Sequence, residues 1–338
     1  MNIWKKRALL LLMAMLLCLT CVSCAADVPT STQPQPTSPA LLGEPEWTIY
    51  EETASLFAGG ELSVTGAVGE EWAIIALARS GQLRTEVANA YIEAAAEYVE
   101  SIGSVRLHKS KCTDNARMIL ALTAIGGDVT NVGGYNLLEG LTEMDYVTKQ
   151  GNNGPIWALI AMNSGNYTIP EAANPDQQVT REGLVQYILS VQCDDGGWGL
   201  AGGASDIDIT AMALQALASY QQEEQVAAAA EKALQYLSNA QSTDGGFVGY
   251  GVSTSETCAQ VIVALTAWKI DPDTDSRFVK NGHSVLDALC GFAVDGGGFC
   301  HMTEAPQRNG VATEQGFYSL VAYCRFLENK SSLYDMAA

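Results

Sequence analysis

The sequence predicts an all-α protein of six helical hairpins closed into a two-layer α/α barrel. Three observations predict it. First, the segments 187–220, 236–268 and 286–326 align with one another. Each has an amphipathic helix, then D-G-G with an aromatic, then a polar stretch and a more apolar helix. Asp195, Asp244 and Asp295 recur at intervals of 49 and 51 residues, a period typical of stacked supersecondary units. Second, fainter copies lie upstream over 56–81, 93–127 and 135–165, which brings the hairpins to six. Third, the second helices (AMALQALASY, AQVIVALTAW, PIWALIAM) are apolar nearly all round. Such a helix must be buried on every side. The first helices, such as EEQVAAAAEKALQYLSNA at 223–240, keep a polar stripe and belong outside. An open solenoid would need polar end caps. None is evident, so closure is expected, with about twelve helices and no persuasive strand pattern.

Ahead of the hairpins lies an address. Lys5, Lys6 and Arg7 precede an apolar run from Ala8 to Leu19, followed by Thr20, Cys21, Val22, Ser23, Cys24 and Ala25. The run is short for a membrane span and suits an export signal. It resembles a bacterial lipoprotein signal over residues 1–23, with Cys24 as the lipidated residue. Cleavage after Ala25 and plain secretion is the alternative. Residues 24–46 carry Pro29, Pro34, Pro36, Pro39 and Pro45 among Ser, Thr and Gln, the composition of an extended tether. The toroidal body is expected over 47–330 and a tail over 331–338. The expected location is the bacterial cell surface, with membrane contact through the lipid anchor only.

Composition narrows the partners. The chain has 338 residues, 48% of them hydrophobic, and a formal net charge of −20. That apolar content supports a large core. The acidic balance argues against nucleic acid, whose binding relies on Lys and Arg. A small molecule or a protein is the expected ligand, and the residues name no cofactor. Six cysteines lie in the body: Cys112, Cys193, Cys258, Cys290, Cys300 and Cys324. The last three are close enough in sequence for a local pair. The spacing does not suggest a structural zinc site.

The D-G-G-aromatic repeats with TAMALQAL-type helices resemble the prenyltransferase and squalene-cyclase repeat family, whose fold is the α6/α6 toroid. The stretches NVGGYNLLEGLTEMDYVTKQGNNGPIWALIAMNSGNYTIP, DPDTDSRFVKNG and ATEQGFYSLVAYCRF are similar to an exported bacterial branch related to transcobalamin-like toroid proteins. Some of these carry a further β domain, which is not expected in this sequence. The resemblance spans about residues 48–328 and is specific for fold rather than activity.

Two motifs carry possible chemistry. Asp206-Ile207-Asp208-Ile209-Thr210-Ala211 resembles the D-x-D-D-T-A motif of class II terpene cyclases, which places a general acid at Asp208. Ile209 stands where that motif has its last aspartate. Alternatively, Ser205, Asp206 and Asp208 cap an inner helix. Glu256-Thr257-Cys258 resembles the D-x-C zinc ligands of protein prenyltransferases. The histidine of that set has no counterpart, since the chain holds only His108, His283 and His301. No metal is therefore expected. The glycine pairs read as tight turns, with Trp198, Phe247 and Phe299 packing between hairpins.

One collective feature remains. Glu70, Asp114, Asn153, Asp208, Glu256 and Glu314 all fall near the start of an inner helix, and in a closed toroid these starts share one mouth. The expected ligand site comprises Trp72, Trp157, Trp198, Asp206, Phe247, Glu256 and Glu314, with Tyr250 a further aromatic candidate. A negative, partly aromatic mouth favours cationic or hydrogen-bonding ligands. Two readings follow: a non-catalytic surface module that binds a small ligand or partner, or an isoprenoid-processing enzyme with Asp208 as general acid.

Overall fold

Twelve α-helices alternate between two layers in a computed structural model that describes residues 39–249 and 251–337. The outer helices are α1 (Glu46–Gly59), α3 (Thr85–Ile102), α5 (Met144–Val147), α7 (Arg181–Ser190), α9 (Glu224–Ala240) and α11 (Val285–Cys290). The inner helices are α2 (Glu71–Ser80), α4 (Cys112–Ala124), α6 (Asn153–Ser164), α8 (Ile207–Leu217), α10 (Ser255–Ala267) and α12 (Gly310–Leu327). Each inner helix packs on the next, and α12 packs back on α2, so the ring closes. The expected α6/α6 toroid is therefore the fold. The signal segment, Cys24 and Tyr250 lie outside the described residues.

The apolar patterning explains the layers. All residues of α10 except Glu256 are buried, and α6 buries ten of its residues. On the outer α9, Val226, Ala230, Ala233 and Leu237 form a single buried stripe. Spacings of three and four residues place that stripe on one helical face.

The D-G-G turns join neighbouring hairpins. At Gly196 (φ +92°) a Cβ would meet the Lys232 carbonyl at 2.7 Å, and at Gly245 (φ +85°) it would meet that of Ser284 at 2.1 Å. Only glycine allows both this backbone angle and this approach. The third turn docks on the first hairpin: Gly298 N–H donates to Thr53 Oγ1 at 2.8 Å. This contact helps close the ring. The aromatic that follows is fully buried in every turn, at Trp198, Phe247 and Phe299. Its backbone is held by an inner-helix side chain four residues after the helix cap. Thr210 Oγ1 accepts from Trp198 N–H at 2.8 Å, and Thr313 Oγ1 accepts from Phe299 N–H at 3.0 Å. Cys258 takes the same place against Phe247 N–H.

Two features differ from the sequence reading. The third hairpin was expected to begin with a helix from Tyr135. The chain instead forms a 3₁₀ turn, Leu137–Leu141, and the single α-turn α5. The cause is Asn115 on α4. Its Nδ2 donates to the carbonyls of Val105 at 2.6 Å and Leu137 at 3.2 Å, its Oδ1 accepts from Leu107 N–H, and Gly140 packs tightly against it. A side chain thus takes a carbonyl that a regular helix would use. There are also three small antiparallel hairpins: Val248–Gly249 with Val252–Ser253, Val279–Lys280 with His283–Ser284, and Cys300–Met302 with Ala305–Arg308.

Residues on either side of the hairpin set join the fold. Pro39–Leu41 forms a 3₁₀ turn against α12, and Leu42 is buried. At the far end, residues 331–336 close the barrel at the C-terminal ends of the inner helices. Arg79 Nη2 donates to Ser331 Oγ, Ser332 O and Asp335 O at 3.0, 2.8 and 2.9 Å. Arg325 donates through Nε to Ser331 O at 2.9 Å and through Nη1 to Arg79 O at 3.1 Å. Burial pushes the Arg79 guanidinium down to about 9 and that of Arg325 to about 10. Leu333 and Tyr334 are buried in this closure. All six body cysteines are free thiols.

Two stability measurements check these ties. Arg325→Met strands several carbonyls, so we expect a loss of about 2–4 kcal/mol in urea unfolding and faster hydrogen exchange at residues 331–336. Thr210→Val leaves the Trp198 N–H unpaired and should cost about 1–3 kcal/mol, whereas Cys258→Thr should leave the unfolding midpoint nearly unchanged.

Candidate functional site

A cavity of about 270 Å³ opens where the inner helices begin. Its lining follows a register that the helix caps set. Two residues after the cap stand Trp72, Thr113, Asp208 and Glu256, and four residues later stand Arg117, Met212, Gln260 and Gln315. On α6 the same pair is displaced by one residue, to Asn153 and Trp157. Positions i and i+4 share a helix face, so α4, α6, α8 and α10 each present two inward turns, while α2 and α12 present one residue each.

The cavity wall combines aromatic and polar side chains. The Trp72 and Trp157 rings lie 5.1 Å apart, Trp72 meets Tyr318 at 5.9 Å, and Trp157 meets Tyr334 at 5.8 Å. Tyr334 thereby connects the cavity wall to the closure at the far end. Gln260 Nε2 donates to the Tyr318 hydroxyl at 2.6 Å, and Gln215 Nε2 donates to Gln260 Oε1 at 2.9 Å. Arg117 is the single cation among the lining residues. Its Nε stands 2.9 Å from Glu71 Oε2, so its charge is already matched. The Glu71 carboxylate also accepts from the Tyr91 hydroxyl at 3.1 Å.

Asp208 is a perturbed acid of the cavity lining. Burial pushes its carboxyl up to about 6, the charges of Asp206 and Glu256 add to this, and a Thr257 hydroxyl opposes it. Its Oδ1 is buried without a hydrogen-bond partner, as is Oδ1 of Asn153. Glu256 holds His301, whose Nδ1 is 2.9 Å from both carboxylate oxygens. A second hollow, about 320 Å³, shares Asp208, Glu256 and Gln315 and reaches Asp206 and His301.

The expected site residues separate into two groups. Trp72, Trp157, Asp208 and Glu256 meet in the cavity, and Asp206 borders the second hollow. Asp206 is the cap of α8, accepting from Ile209 N–H at 2.9 Å; Asp208 is not a cap. Trp198 and Phe247 do not line the cavity. Both are fully buried behind the inner helices, and Trp198 Nε1 donates to the Ile188 carbonyl at 2.7 Å. Glu314 is also set apart from the lining. The cap of α12 is Asn309, so the counterpart of Asp208 and Glu256 is Val311, which is exposed. Glu314 sits three residues further along, where burial and the charges of Glu71 and Glu70 push it up to about 7. Glu70 is taken up by its own loop, accepting from the N–H groups of Thr65, Gly66 and Ala67.

Cys258 does not fit a zinc ligand. It is fully buried, its thiol is pushed up to about 12, and it receives the Phe247 N–H. Among the described residues no three His, Cys, Asp or Glu side chains are placed to hold a metal. Sequence reasoning missed Thr113, Arg117, Met212, Gln260 and Gln315. Their signal was the four-residue spacing from the helix starts, since none belongs to a chemical motif.

Comparison with known proteins agrees with the toroid fold. Residues 155–310 match the family model described as the prenyltransferase alpha-alpha toroid domain.

Residues 155–310 therefore form a prenyltransferase α/α toroid domain.

Candida albicans protein geranylgeranyltransferase-I, solved with GGPP, is similar at 12% identity with a TM-score of 0.55, over 82% of this toroid chain and 91% of that one. The ent-copalyl diphosphate synthase from Streptomyces platensis is similar at 20% identity with a TM-score of 0.51, over 77% of this chain. This toroid chain spans about 50% of that synthase. Identities this low show the fold alone. No curated protein matches the chain.

The raised Asp208 carboxyl has a stability consequence. The folded state holds this proton more tightly than the unfolded chain, so stability is highest below the unfolded value of 3.8 and falls as pH rises through about 6. Asp208→Asn should therefore stabilise the toroid by about 1–2 kcal/mol at neutral pH and have little effect at acid pH. Urea unfolding of the two proteins across this range checks it.

Proposed function

We propose that this toroid is an exported, membrane-tethered binding module that holds a small ligand at the mouth of its barrel without turnover. The carrying observation is the chemistry of the cavity. Its single cation, Arg117, is paired with Glu71, while Asp208 and Glu256 make the wall acidic. An isoprenoid diphosphate would bring several negative charges to a wall without a free counter-charge. Its hydrocarbon chain would find Trp72, Trp157 and Met212 but would also cover amides, a hydroxyl and carboxylates, and burying these unpaired is costly. Support for export is the basic and apolar leader with Cys24. Support for tethering is the proline-rich stretch behind it.

The second reading is an isoprenoid-processing enzyme with Asp208 as general acid. One observation favours it: burial raises the Asp208 carboxyl to about 6, so the proton is retained in mildly acidic conditions. The residues that would sharpen such an acid are otherwise engaged, Asp206 as a cap and Glu256 with His301.

The two readings separate experimentally. Full-length chain incubated with geranylgeranyl diphosphate and Mg²⁺ should release no pyrophosphate and form no cyclised product. Turnover that disappears in Asp208→Asn would instead establish the enzyme. Native mass spectrometry of protein from its own source should show a retained small molecule. Trp72→Ala should weaken its retention by at least about tenfold.

A further inference from the structure

The cavity's unpartnered groups define what they lack. Two lining acceptors, Oδ1 of Asp208 and Oδ1 of Asn153, are buried and have no donor within the protein. Beside them stands the Glu256 carboxylate, with His301 on its outer side. A buried acceptor without a donor is costly, and the missing partner is an N–H or O–H group. Charge narrows the choice. Arg117 is matched by Glu71, which leaves Asp208 without a cation while Asp206 and Glu256 raise the local negative potential. The same cavity offers the tilted pair Trp72 and Trp157 at 5.1 Å. Aromatic faces attract cations and bury apolar groups.

We infer that the cavity takes a primary organic ammonium, with its –NH₃⁺ among Asp208, Asn153 and Glu256 and its apolar body against Trp72 and Trp157. This inference rests on the binding-site reading above and adds the ligand's class. An ammonium carries three donors and one charge, which matches three acceptors beside an uncompensated carboxylate. A quaternary ammonium supplies the charge without the donors, and a neutral alcohol supplies a donor without the charge. The size also fits. A cavity near 150 Å³ lodges benzene, so about 270 Å³ accommodates a phenyl ring with a two-carbon amine.

The test is isothermal titration of the full chain at neutral pH with 2-phenylethylamine, 2-phenylethanol and the N,N,N-trimethyl derivative of the amine. The amine should bind at least about tenfold more tightly than either analogue. Asp208→Asn should remove that advantage while leaving the alcohol's weaker binding in place, which also reports that the variant is folded. Glu256→Gln should reduce the advantage several-fold. Equal binding of amine and alcohol, or an amine affinity unchanged in Asp208→Asn, overturns the inference. If the alcohol binds without an amine advantage and is lost in Trp72→Ala, the ammonium inference fails and the cavity remains the binding site. If none of the three binds at millimolar concentration, both readings fall.

Discussion

Six helices that must bury every side cannot satisfy themselves in a row, because the two end helices would each leave an apolar face in water. The ring closure of α12 onto α2 removes both ends at once. The rest of the structure depends on this constraint. Because inner and outer helices alternate, all six inner helices run the same way. Their starts therefore gather at one mouth and their ends at the other. The mouth gathers caps and first turns, where polar side chains are favoured. The other end is closed by residues 331–336, held by the buried guanidinium groups of Arg79 and Arg325.

The same constraint explains why the cavity is polar inside an apolar ring. Deeper turns of the inner helices are packed by residues such as Ile119, Leu159, Leu214 and Ile262, all fully buried. Only the first two turns are free to carry Asp208, Glu256, Gln260 or Arg117. A solvent-filled mouth tolerates them, but Asp208 still sits deep enough for desolvation to raise it. A carboxyl that weakens its own fold at neutral pH is unusual without a functional reason.

Much of this was legible in the residues. The recurrence of Asp195, Asp244 and Asp295 and the all-apolar helices sufficed for six hairpins and for closure. Five of the expected mouth residues, Trp72, Asn153, Trp157, Asp208 and Glu256, meet in one cavity. The failures have physical causes. Glu314 was aligned by its charge, but the cap at Asn309 sets the register and places Val311 at the equivalent point. Trp198 and Phe247 follow the glycine turns and serve packing, because their backbones are bound behind the inner helices by Thr210 and Cys258. The broken third outer helix depends on Asn115, which is distant in sequence from the carbonyl of Leu137 that it captures. No local pattern announces such a contact. Cys258 is the clearest case of a motif fragment with a structural use, since it stands where its neighbouring repeats have threonine.

The central claim is that the ring of inner-helix starts encloses a ligand site. A crystal structure of the protein purified from its own source tests this most directly. The account predicts ordered non-protein density in contact with Trp72, Trp157 and Asp208. A cavity filled by Trp72 or Gln315 side chains, with a ligand bound on another face, would contradict it.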